Sequence, residues 1–297
     1  MRGFTMIDSK TRLLGLIGNP VEHSLSPIFM NYLLRKLNLN YRYFAFGLQP
    51  VKLRDAFNGF KALGFKGINV TIPFKKEVIK YVDKLNEDAE KIGAINCIYN
   101  TNGSLVGFNT DYLGFTWPLK EYAERINNSN VLLIGCGGAA RGVVYALKRF
   151  KVKSIKIVNR TEENAFEFIR WAKSIMGLSI NISYLGDSES VTNSLLDDIN
   201  LIINATPVGM SPRINQNPLP KDIVFNELQI VYDIIYTPWE TSLLKMAKRY
   251  GAKTINGFPM LIAQGLYSLE AWFEDIKDEL FPLYDEVLSF TREFLKV

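Results

Sequence analysis

Histidine occurs once in the 297 residues, as His23, and cysteine only twice, as Cys97 and Cys136. That leaves too few soft ligands for a Cys/His zinc site. A Ser-His-Asp hydrolase would have to use His23, whose place inside the turn Asn19–Ser24 suits a loop hydrogen bond better. Acid–base work therefore falls to Lys, Asp, Glu or Tyr. Nowhere do eighteen apolar residues run together, so no membrane-spanning helix is predicted. The N-terminal MRGFTMIDSKTR has no apolar core long enough for a signal peptide. Free thiols without an export signal lead to the expectation of a cytoplasmic protein, and Cys97 and Cys136 read as packing groups among apolar strand residues. Repeats of fixed period and low-complexity runs are absent.

Charge of one sign is only slightly in excess: 35 Lys+Arg against 30 Asp+Glu give +5, with a pI near 9.0. The densest basic pieces, Lys75-Lys76 and Lys148 to Lys153, are short. The balance points to small anionic ligands rather than to nucleic acid. Hydrophobic residues at 47%, aromatics at 12% and charged residues at 22% fit a globular chain that buries a core, which excludes disorder. The length suits two domains.

Strands alternate with helices. Leu13–Ile17, Tyr41–Phe46, Gly67–Thr71, Ala94–Tyr99 and Ser104–Gly107 read as strands, the last two joined at the hairpin turn Asn102-Gly103. Helices are predicted from Ser26, with serine as N-cap and Pro27 in the first turn, to about Leu37; from Val51 to Leu63; and after Phe74 to about Lys84. Beyond the polar run Asn127–Asn130, the apolar strands Val131–Ile134, Ser154–Asn159, Leu201–Asn204 and Ile230–Ile234 follow. A helix links the first two to about Phe150, and the chain from Leu261 onward is helical. This spacing implies parallel sheets with right-handed crossovers.

The strand Val131–Ile134 runs directly into Gly135-Cys136-Gly137-Gly138-Ala139-Ala140, a G-x-G-x-x-A turn. Gly135 permits the tight turn, Gly137 the approach of a pyrophosphate, and Ala140 close helix–sheet packing. Position between strand and helix makes this a dinucleotide site. At the end of the next strand, where an NAD site would carry a carboxylate, stand Asn159-Arg160-Thr161. Arg160 suits a 2′-phosphate and selects NADP, while Thr161 reads as N-cap of the following helix. Three further polar clusters sit at strand ends: Asn19–Pro27 with Ser24 and Ser26, Asn69–Lys76 with Lys75, and Gly107–Asp111 with Ala94-Ile95-Asn96 ahead of it.

Together the segments NPVEHSLSP, NVTIPFKK, GAINCIYN, GFNTD, IGCGGAARG, VNRTEENA, NATPVGM, YDIIYTPWETSLL and NGFPMLIAQG resemble the shikimate dehydrogenase family, in its order, from residue 18 to about 270. The resemblance implies reversible reduction of 3-dehydroshikimate to shikimate with NADPH, on two α/β domains. One is an N-terminal substrate domain with a mostly parallel sheet, residues 1–113, onto which helices of 258–297 pack back. The other is a Rossmann-type NADP domain, residues 114–257. It implies Lys75 and Asp111 as the catalytic pair, and Ser24, Ser26, Thr71, Asn96, Asp111, Tyr236 and Gln264 as the shikimate site. Gly135, Cys136, Gly137, Gly138, Ala139, Asn159, Arg160, Thr161, Asn164, Thr206, Met210, Ile234 and Gly257 would touch NADP. Departures are Cys97 where the family often has threonine, Cys136 where alanine is usual, and Pro259 where glycine is common.

Lys75 is expected to act as acid/base, with Asp111 orienting it; the other reading keeps Lys75 as a substrate-positioning group with water relaying the proton. Rival activities are a quinate/shikimate dehydrogenase with relaxed cofactor choice and a non-catalytic ligand sensor. Expected partners are a small-molecule substrate only, with neither nucleic acid nor membrane, in a monomer or homodimer.

Overall fold

Short apolar runs closed by glycine, proline or asparagine set the strands of this protein. The structure, a computed structural model, describes residues 7–177 and 180–295. Leu13–Ile17 forms the centre of β1 (Arg12–Gly18), followed by α1 (Ser26–Lys36), β2 (Tyr41–Gly47), α2 (Leu53–Ala62) and β3 (Gly67–Val70). Then come β4 (Lys84–Leu85), α3 (Glu87–Ile92), β5 (Cys97–Thr101) and β6 (Ser104–Phe108). These strands form one sheet in the order β2-β1-β3-β5-β6-β4. Only β5 runs against the others. Asn102 and Gly103, at φ 54° and 89°, make the tight turn between β5 and β6, a conformation that asparagine and glycine accept most readily.

Three local expectations are corrected. Leu25 already lies in the right-handed helical region, so Ser26 is the first residue of α1 and not its cap. The hydroxyl that serves the helix start is that of Ser24, which accepts the Ser26 N–H at 3.3 Å. After Phe74 there is no long helix but a short 3₁₀ segment, Glu77–Tyr81. Asp83 ends it, because its N–H donates to Leu105 O (2.8 Å) and its carboxylate accepts the Leu105 N–H (2.7 Å). A side chain that binds backbone in this way competes with the helix, and Lys84-Leu85 join β6 instead. β5 begins only at Cys97, with residues 94–96 leading into it.

The second half carries α4 (Asp111–Leu119), α5 (Ala123–Ile126), β7 (Asn130–Ile134), α6 (Gly138–Leu147), β8 (Ser154–Val158), α7 (Glu162–Met176), β9 (Asn181–Gly186) and α8 (Asn193–Leu196). β10 (Leu201–Asn204), β11 (Ile230–Asp233), α9 (Ser242–Arg249), β12 (Lys253–Ile255) and α10 (Phe258–Trp272) complete it. Its sheet is entirely parallel, in the order β12-β11-β10-β7-β8-β9. The strand order reverses between β7 and β10, the doubly wound arrangement in which ligands bind beyond the carboxyl ends of the strands. Thr161 stands at the N-cap of α7 in extended conformation, but its hydroxyl makes no capping bond.

By contacts the chain divides into two compact units, one running to Thr110 and resuming at Ile262, the other Asp111–Leu261. The last elements, α11 (Lys277–Leu280) and α12 (Tyr284–Leu295), belong to the first unit. Its core gathers Ile17, Phe57, Phe60, Ile68, Phe74 and Ile98 between sheet and helices. Here α10 lies against α1 so closely that a Cβ on Gly265 would stand 2.5 Å from the Phe29 ring. Trp272, at the end of α10, is buried and donates its indole N–H to Ile98 O at 2.9 Å. Each fully buried aromatic or aliphatic side chain of this kind contributes about 1.5–3 kcal/mol. The second unit has its own core around Leu132, Ile202, Val231, Leu243 and Phe225.

Candidate functional site

In the second unit every strand end at one edge of the sheet opens into a polar turn. After β7, Gly135 adopts φ +103°, and a Cβ there would meet Thr206 Cγ2 at 2.7 Å. Glycine is required on both counts. A Cβ on Gly137, by contrast, would enter open space, so this glycine leaves room for a ligand rather than for the protein. Gly137 is the N-cap of α6, Gly138 its first residue and Ala139 its second, and no acidic side chain stands in the first turn. The unpaired N–H groups and the positive end of that helix suit a phosphate. Ala140 is fully buried against the sheet. Cys136 is half-buried, and burial pushes its thiol up to about 12, which makes it a packing group rather than a nucleophile. Cys97 is buried and forms no disulfide.

At the end of β8, Asn159 donates its amide to Thr161 O at 2.7 Å and accepts the Tyr184 hydroxyl on its carbonyl at 3.1 Å. This fixes the turn while Arg160 and Asn164 stay exposed, available to an anion. After β10, Asn204 accepts both the N–H (3.0 Å) and the hydroxyl (2.7 Å) of Thr206, and Met210 follows in the same loop, half-buried. After β11, Ile234 O lies 1.9 Å from where a Cβ of Gly257 would be, so the turn after β12 presses directly on the turn after β11. Tyr236 is half-buried just beyond. Pro259 falls in the first turn of α10, where its missing N–H costs nothing.

In the first unit the reversed strand decides what meets what. Parallel strands bring their carboxyl ends to one edge, and β5 brings its beginning there. Asn96, ahead of β5, therefore lies beside the end of β3, with Val70 N–H donating to Asn96 O at 2.9 Å. It also lies beside the exit of β6, whose Thr110 N–H donates to Asn96 Oδ1 at 2.6 Å. The Asn96 amide donates in turn to Thr110 Oγ1 (3.0 Å) and Gln264 Oε1 (3.3 Å). Behind these stands a buried relay: Tyr43 OH donates to Asn69 Oδ1 (2.9 Å), and Asn69 Nδ2 donates to Ser268 Oγ (2.8 Å). Ser268 lies 3.2 Å from Thr110 Oγ1 and donates to Gln264 O at 2.9 Å.

Ser24, half-buried, and Ser26, buried, stand together at the start of α1. Thr71 follows β3 with its N–H on Ile17 O at 2.9 Å, and its methyl fills the place of a Gly18 Cβ. Lys75 is half-buried, its segment held by the Ile95 N–H on Lys75 O at 2.8 Å. Asp111 is buried at 4% exposure. As first residue of α4 it is counted with the second unit, as Tyr236 is, whereas Lys75 and Gln264 belong to the first. His23 is exposed. Among the described residues no group of His, Cys, Asp and Glu could hold a metal, and no helix is long and apolar enough to cross a membrane.

Sequence reasoning gave no part to Tyr43, Asn69, Thr110, Ser268, Asn204 or Asp233. Four of these lie inside quoted motifs (NVTIP, GFNTD, NATPVGM, YDIIY), yet residue type alone does not say which polar group faces substrate and which faces another side chain.

Comparison with known proteins converges on one family. A family model for the shikimate dehydrogenase substrate binding domain matches residues 16–98, and one for shikimate / quinate 5-dehydrogenase matches residues 119–217. A relative from Methanococcus maripaludis named shikimate dehydrogenase (NADP(+)) is 42% identical over 287 residues, 96% of this chain and 99% of that protein. A crystal structure of a shikimate dehydrogenase in complex with NADP+ superposes with TM-score 0.83 at 40% identity, covering 95% of this chain and 96% of that one. The shikimate 5-dehydrogenase of Listeria monocytogenes, in complex with shikimate and NAD, gives TM-score 0.83 at 32% identity, covering 99% of this chain and 100% of that one. With such identity along nearly its whole length, the chain belongs to the shikimate dehydrogenase family.

Proposed function

We propose that this chain is an NADP-dependent shikimate dehydrogenase, catalysing reversible reduction of 3-dehydroshikimate to shikimate in aromatic amino acid biosynthesis. The observation that carries the reading is the 42% identity over 96% of the chain to a protein of that name. The chain's own chemistry agrees: a parallel sheet with a glycine turn left open for a pyrophosphate, and a second sheet whose edge collects neutral hydroxyl and amide groups suited to a polyhydroxylated acid.

The residues fit the cofactor. Open space at Gly137, the helix start at Gly138 and the exposed Arg160 provide for pyrophosphate and 2′-phosphate, and no carboxylate stands at Asn159-Arg160-Thr161 to repel the latter. Gly135, Cys136, Ala139, Asn164, Thr206, Met210, Ile234 and Gly257 complete its surroundings in this reading. When bound, NADPH supplies the hydride that reduces the substrate carbonyl, whose oxygen must then gain a proton.

Lys75 gives that proton in reduction and takes it back in oxidation. An ammonium group also stabilises negative charge growing on the oxygen. Asp111 holds Lys75 in line and accepts a ring hydroxyl. Ser24 and Ser26 bind the substrate carboxylate at the start of α1. Thr71, Asn96, Tyr236 and Gln264 bind ring hydroxyls. Gln264 is held beside Asn96, whose amide donates to its carbonyl at 3.3 Å. The substrate domain in this assignment is residues 1–113 with helices of 258–297, and the cofactor domain residues 114–257.

The test follows NADPH absorbance with shikimate and quinate crossed against NADP and NAD. Reduction of NADP with shikimate alone supports the assignment in full. Comparable rates with quinate or NAD, the outcome favoured by the NAD-bound Listeria structure, would move the enzyme to a broader specificity. Lys75→Ala separates the two roles of lysine. Loss of kcat with KM kept supports acid/base action, and a raised KM with kcat kept leaves lysine as a positioning group.

A further inference from the structure

Asp233, the last residue of β11, is fully buried and has no cation among its hydrogen-bond partners. Its Oδ1 accepts from Asn204 Nδ2 (3.0 Å) and from the Ile235 N–H (3.1 Å), and its Oδ2 accepts from Thr241 Oγ1 (2.7 Å). A carboxylate satisfied only by neutral donors is costly to bury, and burial pushes this one up to about 6. Joining β10 to β11 does not require it, since the strands already pair from Leu201↔Ile230 to Asn204↔Asp233.

We propose that Asp233 is a positioning residue for the dinucleotide-binding loops, acting through Asn204. The inference rests on the NADP reading of the second unit. Asn204 has one acceptor end and one donor end. The Thr206 N–H can only donate, so Asn204 must present its oxygen there. Its Nδ2 is left facing Asp233 and Val208 O (3.3 Å), both acceptors. The Thr206 N–H sets the direction of the amide, and the carboxylate, the nearer of the two acceptors on Nδ2, anchors its donor end.

The fixed amide in turn sets the Thr206 hydroxyl, which accepts the Val208 N–H at 3.2 Å, and presses the Thr206 methyl into the space left by Gly135. Through Ile235 the same carboxylate holds the turn on which Gly257 packs, the Gly257 N–H donating to Ile235 O at 2.9 Å. One buried group therefore ties together three of the turns assigned to the cofactor, those after β10, β11 and β12, and through Thr206 it bears on a fourth, after β7.

Fluorescence titration with NADPH and steady-state kinetics on Asp233→Ala, Asp233→Asn, Thr241→Val and Asn204→Ala test this. Asp233→Ala is expected to weaken NADPH binding about tenfold or more, the order expected when buried donors lose their acceptor, with KM for shikimate raised less, through Tyr236 alone. Asp233→Asn should restore binding to within about threefold, since its carbonyl can serve Asn204 and Ile235 while its NH2 donates to Thr241 Oγ1. Thr241→Val, nearly isosteric and remote from Asn204, should weaken NADPH binding by less than the alanine variant. Tight NADPH binding by Asp233→Ala overturns the inference; if that protein does not fold, unchanged binding by Asn204→Ala does so, because Asn204 is the group through which Asp233 acts. An equal rise in both KM values overturns it as well, because general loosening would explain it. Wild-type protein that fails to bind NADPH would overturn the cofactor reading itself, a result distinct from the others.

Discussion

A single methyl group at Gly67 should uncouple the last long helix from the first sheet. Gly67 opens β3, between Leu14 of β1 and Tyr99 of β5. A Cβ there would lie 2.2, 2.3 and 2.4 Å from three atoms of the Trp272 indole. Ordinary contact begins at 3.4 Å, so the ring must retreat by about 1.2 Å, and close-packed interiors give way by far less without strain. The indole cannot slide within its plane without losing its bond to Ile98 O (2.9 Å), and Ile98 is locked in the sheet by β3 and β6. Overpacking costs about 1–3 kcal/mol, and a buried donor stripped of its acceptor about 1–3 more. Trp272 ends α10, whose Ser268 and Gln264 lie one and two turns earlier. A helix displaced by about 1 Å stretches the 2.8 Å bond from Asn69 to Ser268 past hydrogen-bonding range, and misplacement of that size costs up to about 100-fold in rate. For Gly67→Ala, urea titration followed by tryptophan emission should show a lower midpoint. Kinetics should show kcat/KM for shikimate lowered about tenfold or more, on the same argument, with KM for NADP unchanged. A variant with wild-type midpoint and wild-type kcat/KM would refute the reasoning.

Three other outcomes follow from the second unit. Asp233 is held near 6 in the fold against 3.8 when free, so the folded state binds the extra proton and stability falls as pH rises from about 4 to 6. Wild-type should therefore gain about 2 kcal/mol over Asp233→Asn as pH drops from about 7 to 4, read as the difference between their urea curves at each pH; a pH-independent difference would sink the idea. Gly257→Ala places a Cβ 1.9 Å from Ile234 O, a backbone atom with little room to yield. It should cost about 1–3 kcal/mol of stability, read by urea titration, and weaken NADPH binding in fluorescence titration. Arg160→Asp sets a carboxylate at the assigned 2′-phosphate and should raise KM for NADP about 10- to 100-fold, the worth of a charged hydrogen-bond pair, while KM for NAD changes little.

Much of the fold is visible in local patterns. The runs Leu13–Ile17 and Val131–Ile134 became buried strands because their residues are apolar on both faces, as strands covered by helices must be. Asn102-Gly103 became a hairpin because both residues accept positive φ. Lys84 misled because Val78 and Tyr81 continue a helical spacing, and nothing local shows that Asp83 will bind Leu105, 22 residues on. The edge strands β9 and β12 went unread for a related reason. Asn181–Gly186 and Lys253–Ile255 are only partly buried, so they lack the continuous apolar signature of the central strands.

The site divides along the same line. Gly135 and Gly137 announce themselves, since their purpose is to have no side chain, and that is written in one residue. A polar side chain in a motif carries no such label, because its meaning depends on which group it faces. Asn69 pairs with Ser268 across 199 residues, and Asn204 with Asp233 across 29. Asn96 shows the difficulty most clearly. In the proposed site, residues at the edge of the sheet follow their strands, as Thr71 follows β3 and Thr110 follows β6, whereas Asn96 lies in a segment that reads as the start of a strand and enters the site on the polar cluster ahead of Gly107–Asp111 and on the family resemblance, not on its place in the strand. Only the reversal of β5 turns that start toward the same edge, and reversal is decided by the two-residue hairpin that returns the chain from β5 to β6. The hairpin signal at Asn102-Gly103 therefore determines which end of β5 reaches the edge as well as how the two strands pair. A tight turn forces antiparallel neighbours; with β6 parallel to β3, β5 must run backward, and its beginning has to lie at the edge where β3 and β6 end.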